Sequence, residues 1–252
     1  MVKMENTVIT YNCRPELKRP IFIEGLPGVG AVGKVAADFL AEKLNATLLA
    51  DILSEDLPTQ IFLDEECVAQ VARNELWFVK DVNGHDLIFL LGEHQSSTTQ
   101  GQYILTKFVF DKILPYDPSL IITLGGYGTG NIVTEPRVLG CVSDSKLKSR
   151  FEEHGVGFYP DEPAGGIVGA AAMFVAFGKE YGIDSICIMG ETPGMFVDHK
   201  SAKCVVDVLA SFLGIEIDTS DMQDEIDQID EINKQAQDAV LEAPKEDLSY
   251  FG

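Results

Sequence analysis

Residues 20–44 read PIFIEGLPGVGAVGKVAADFLAEKL. The apolar run ending at Glu24 predicts a strand over Pro20–Glu24. Glycine follows at position 25, and again at 28, 30 and 33. An amphipathic helix is expected from Gly30 to Leu44. A strand that turns through glycine into a helix is half of a βαβ unit, and the motif recurs along the chain. Strands are expected at Thr47–Leu53, Ser119–Leu124 and Ser185–Met189, and helices at Thr99–Leu114, Gly165–Tyr181 and Lys200–Leu213. Pro115 ends the first of these helices, and Gly182 and Gly214 cap the other two. Glu75–Val82 and His85–Leu91 flank Asn83-Gly84, a strong signal for a two-residue hairpin. Strands alternating with helices predict an α/β fold with a mixed, largely parallel central sheet flanked by helices.

Four of the expected strands run into glycine, at Glu24-Gly25, Leu91-Gly92, Leu124-Gly125 and Met189-Gly190. The carboxyl ends of parallel strands line the ligand crevice of open sheets. A common rim is therefore expected, carrying Gly25, Gly28, Gly30, Gly33, Glu93 and Glu191. Gly28 to Gly33 fits G-x-G-x-x-G, and Asp51 lies where a ribose-binding acid would sit. The same residues approach a phosphate loop, but Val35 follows Gly33-Lys34 where magnesium chemistry needs Ser or Thr. Glycine that simply lets each strand turn is the competing reading. His85, His94, His154 and His199 lack metal-ligand spacing, so no metal site is expected. His94 beside Ser96 and Ser97 reads as a loop residue, because neighbouring side chains on an extended chain diverge.

The chain has 252 residues, 46% of them hydrophobic, and a net charge of −21. Such an acidic surface disfavours nucleic acid and anionic lipid as partners. Cys13, Cys67, Cys141, Cys187 and Cys204 are odd in number and show no C-x-x-C spacing, which fits a reducing compartment. No apolar run approaches a membrane span, and Met1–Cys13 does not read as a signal peptide. A cytoplasmic location is expected.

Three segments carry a resemblance. The first is Gly25–Gly33 with its Ala-rich helix. The second is Gly165-Gly166-Ile167-Val168-Gly169, opening the helix to Tyr181. The third is Gly190-Glu191-Thr192-Pro193-Gly194, then Asp198 and a helix closing on Leu213-Gly214. In this order the chain resembles the PAC2 family, the proteasome assembly chaperones, over roughly residues 17–218. The resemblance implies a nucleoside-phosphorylase-like fold without phosphorylase activity, no cofactor, and a partner in the proteasome core particle α-ring or its assembly intermediates. It also implies docking through a carboxyl-terminal tail ending in hydrophobic-Tyr-any residue. The sequence closes Leu248-Ser249-Tyr250-Phe251-Gly252. Tyr250 would fill the hydrophobic slot and Phe251 the tyrosine slot, while the carboxylate of Gly252 would meet a basic side chain. A small-molecule or nucleotide-binding enzyme, ATP-grasp-like or nucleoside-phosphorylase-like and built on the glycine rim, is the alternative.

The organisation expected is an α/β domain over 1–218, an acidic helix over 219–241 and a flexible tail over 242–252. From Glu216 to Gly252 there are twelve acidic and two basic residues. Met222, Ile226, Ile229, Asn233, Ala236 and Val240 are spaced as a heptad stripe, which predicts self-association into a homo-oligomer.

Overall fold

The computed structural model describes residues 7–63, 65–229 and 231. In chain order the elements are β1 (Thr7–Tyr11), β2 (Ile21–Glu24), α1 (Val32–Lys43), β3 (Thr47–Ser54), β4 (Ile61–Leu63), β5 (Ala69–Val71), β6 (Asn74–Val82) and β7 (His85–Gly92). There follow α2 (Thr99–Ile113), β8 (Leu120–Gly128), β9 (Val138–Val142), α3 (Lys148–Glu152), β10 (Val156–Gly157), α4 (Gly169–Tyr181), β11 (Ser185–Thr192) and α5 (His199–Leu213). Among the described residues nine strands form one sheet, in the order β1-β3-β6-β7-β2-β8-β11-β9-β10. Its centre, β7-β2-β8-β11, is parallel. The run β1-β3-β6-β7 is antiparallel, as is the β11–β9 pair. β4 and β5 make a separate antiparallel pair.

The central strands are continuous apolar runs because helices cover both of their faces. α1 packs with α5, and α2 packs with α4. Phe22, Ile88, Ile121, Phe110 and Phe174 belong to one buried cluster, with the Phe22 and Phe174 rings 4.9 Å apart. The Asn83-Gly84 turn forms as its sequence predicts. Both residues have positive φ, 49° and 84°, and Val82 faces His85 across the turn. Asn83 also reaches α5, its amide donating to the carbonyls of Leu213 at 3.0 Å and Gly214 at 3.1 Å.

Two helices start later than their sequences suggest. Gly30 and Ala31 sit at φ 61° and 51°, so α1 begins at Val32 after a short 3-10 turn. Gly165, Gly166 and Gly169 all have positive φ, which keeps the first four residues of the expected Gly165–Tyr181 helix out of α4. Two strands run on instead. β8 continues through Gly125–Gly128 and β11 through Gly190–Thr192, paired residue for residue.

The chain divides into two units, Met1–Ile217 and Asp218–Gly252. In the second, residues 220–229 are helical. Met222 and Ile226 are buried and Ile229 is half-buried. Asn233, Ala236 and Val240 lie outside the described residues, as does the segment from 242 to 252.

Candidate functional site

Because β7, β2, β8 and β11 run parallel, their carboxyl ends share one edge of the sheet, and the expected rim is there. The loop after β2 is held down on its neighbours. A Cβ on Gly33 would stand 2.3 Å from the carbonyl oxygen of Leu124, and one on Gly126 would stand 2.1 Å from that of Val29. Gly30 packs on the side chain of Thr192, and its carbonyl accepts from the Asp198 amide at 2.9 Å. Gly25 lies against Ala37, while Gly28 faces open space. The Val29 side chain packs over Gly128 and Gly194. Two of the three fingerprint glycines, Gly30 and Gly33, and Gly25 before them are thus sites of close packing between the loop, α1 and the ends of β8 and β11.

The strand order explains why a dinucleotide reading of this loop fails geometrically. In the dinucleotide fold the strand following the first helix lies beside the first strand. Here β3 is separated from β2 by β6 and β7, about 14 Å away at the usual strand spacing. Asp51 on β3 is instead tied to Arg73 at 3.1 Å and to Asn12 at 2.9 Å.

The rim acids are also engaged. Lys34 bridges Glu93 at 2.7 Å and Asp38 at 2.5 Å. Glu191 accepts from the Arg137 guanidinium at 2.5 Å and from the Arg137 backbone amide at 3.0 Å. That hydrogen bonding holds the Glu191 carboxyl below the usual carboxylate range. Arg137 also reaches Glu162 and lies over the ring of Tyr159. His94 stacks on Phe62 with ring centroids 4.8 Å apart, and Ser96 bonds within its own turn to Thr98. The structure does not assemble an acid, base and nucleophile from them.

Sequence reasoning missed two features. Gln95 joins three elements: its amide donates to Pro27 O at 2.8 Å, and its Oε1 accepts from the Ala170 amide at 3.0 Å and from Gln102 at 2.9 Å. It thereby occupies the first turn of α4, where an anion would otherwise find free N–H groups. Beneath the rim, Glu24, Thr123 and Cys187 stand in one cross-strand register on β2, β8 and β11. Glu24 is 1% exposed. Leu26 N donates to its Oε1 at 3.0 Å, while Oε2 has no partner. Burial pushes its carboxyl up to about 8, against the pull of the Leu26 and Leu124 backbone. Burial likewise pushes the Cys187 thiol up to about 12. The signal was available in the lone acid closing the apolar run Ile21–Ile23.

Among the described residues no group of three or more His, Cys, Asp or Glu is arranged to hold a metal. No helix there is long and apolar enough to cross a membrane. All five cysteines are free thiols.

The model of the PAC2 family matches residues 22–237. The chain belongs to the PAC2 family. The match takes in the glycine loop, the rim and the three segments that carry the resemblance. Of solved PAC2-like structures, Pyrococcus furiosus PbaB, an archaeal proteasome activator, is 32% identical with a TM-score of 0.86, covering 92% of this chain and 99% of that one. Pyrococcus furiosus PbaA, an archaeal homolog of proteasome-assembly chaperone, is 24% identical with a TM-score of 0.78, covering 95% and 94%. An uncharacterized protein of Methanocaldococcus jannaschii is 31% identical over 245 residues, 94% of this chain and 93% of its own.

Proposed function

We propose that this PAC2 protein is a non-catalytic cytoplasmic factor that binds the proteasome core particle or its assembly intermediates. It acts as a homo-oligomer, and Leu248, Tyr250, Phe251 and Gly252 form the docking end. The observation that carries this is the 32% identity with PbaB, spanning nearly the whole of both chains. The rim favours the non-catalytic half of the reading. Its acids are committed to ion pairs, and three of its four glycines, Gly25, Gly30 and Gly33, are filled by close packing.

The physical logic of the tail is that of weak anchors acting together. Burying an aromatic ring contributes about 1.5–3 kcal/mol. Several tails on one oligomer raise the avidity by about 10²–10⁴ over a single one. Phe251 lacks the hydroxyl that a tyrosine would bring, a net loss of about 0.5–1.5 kcal/mol. Surface plasmon resonance on immobilised core particle tests this. Removal of residues 242–252 is expected to abolish binding. Phe251→Ala should weaken it by about 10–100-fold, and Phe251→Tyr should keep or tighten it. Binding by the truncated chain equal to that of the full chain overturns the docking role. Micromolar heats of ATP or NAD binding in calorimetry would favour the rim enzyme instead.

A further inference from the structure

At one edge of the nine-stranded sheet lies β1, which pairs with β3 alone among the described residues. Its sequence is Thr7-Val8-Ile9-Thr10-Tyr11, without a charge or a proline. Its register with β3 is unbroken from Thr7–Ser54 to Tyr11–Ala50, so no bulge turns it away. Proteins ordinarily blunt such an edge with charge, proline, a bulge or a cover, because an open edge is a template for another strand.

The surface beside this edge is apolar. Val8 and Leu53, opposite each other on β1 and β3, help line a groove of about 740 Å³ whose other walls include Leu57, Ile61 and Val71, with Glu55 its one charged residue. Val8 is 57% exposed, Ile61 62% and Leu63 66%. On the β4–β5 pair Ile61 faces Val71 and Leu63 faces Ala69, and all four are exposed, while Phe62 turns the other way onto His94. Among the described residues nothing covers this edge, and it meets the groove at Val8.

We propose that this edge joins two copies of the chain, β1 pairing antiparallel with β1 of the second copy about a two-fold axis at Ile9. The inference deepens the homo-oligomer of the proposed function and rests on it. The charges permit a second copy here. Two bodies that each carry −21 repel each other, and least where the facing surfaces carry no charge. β1 is uncharged throughout, and of its partners on β3 only Asp51 is charged and that side chain is tied to Arg73. The strand is also complementary to itself. Antiparallel pairing sets Ile9 against Ile9, Thr7 against Tyr11 and Val8 against Thr10, all β-branched or aromatic residues that suit such pairs. The contact is isologous, so each edge closes the other and no fibre grows. Five paired residues fall short of the roughly 800 Å² that each partner gives to a standard interface. The groove beside Val8 supplies the remaining apolar area.

The test uses the full chain. Light scattering after gel filtration should show Val8→Lys and Thr10→Pro falling at least twofold in mass, with wild-type far-UV dichroism. A wild-type chain that is itself monomeric, or folded variants of unchanged mass, overturns the proposal. Should the variants fail to fold, hydrogen exchange on the wild type decides. Amides of 7–11 should exchange at least about tenfold more slowly in the oligomer than on dilution to monomer; equal rates overturn it. Removing residues 242–252 separates this inference from the tail reading. The interface predicts unchanged mass on that deletion, whatever becomes of core-particle binding.

Discussion

Glu24 closes a strand of three fully buried apolar residues and has one oxygen without a partner. Its carboxyl is pushed from 4.5 up to about 8 by burial. The folded chain therefore holds a proton there that the unfolded chain has released. Stability from this group is fully present below about pH 4.5 and falls as pH rises, until the folded form also ionises near 8. The loss is on the order of 3–5 kcal/mol, at about 1.36 kcal/mol per pKa unit. Glu24→Gln keeps the shape and cannot ionise. Urea midpoints measured at pH 5, 7 and 9 should decline for the parent and flatten for the variant. Parallel declines would mean that another group dominates.

Among the elements, the β6–β7 turn supports two structures at once, since Asn83 both adopts positive φ and caps α5. Asn83→Gly keeps the turn and removes the cap, and should cost about 0.5–1.5 kcal/mol of stability. Asn83→Ala loses both and should cost more. Thermal denaturation of the parent and the two variants separates the effects, and an Asn83→Gly midpoint equal to the parent's would show that the cap contributes nothing. The same turn shows what the sequence makes legible. Asn-Gly between apolar runs specifies a conformation by local chemistry, and long apolar runs such as Ile186–Met189 mark buried strands. β1 was not legible, because Thr7–Tyr11 is short and borders a polar start. β4 and β5 have three residues each, too few for any period to emerge. The rim was legible as a row of strand ends, whereas the partners of its acids were not. Arg137 and Glu191 are fifty-four positions apart, and no local pattern joins them.

At the scale of the whole chain, a net charge of −21 repels itself in the folded state and across any contact between copies. Raising salt from about 0.01 M to about 1 M shortens the screening length from ~30 to ~3 Å. The thermal midpoint should rise by about 2–4 °C per kcal/mol of repulsion removed, and the oligomer should tighten together with it. A calorimetric midpoint independent of salt would show the acidic charge to be balanced locally. The strand order has a kinetic consequence as well. β2 emerges early in synthesis, yet its neighbours β7 and β8 come later, and β8 in turn awaits β11. Ile21–Ile23 and the apolar face of α1 therefore leave the ribosome with only each other to pack against, before the strands beside them are made. Translation at about 5–20 residues per second leaves them waiting on the order of ten to thirty seconds. For that interval the nascent chain carries apolar surface whose native partners have not yet been made.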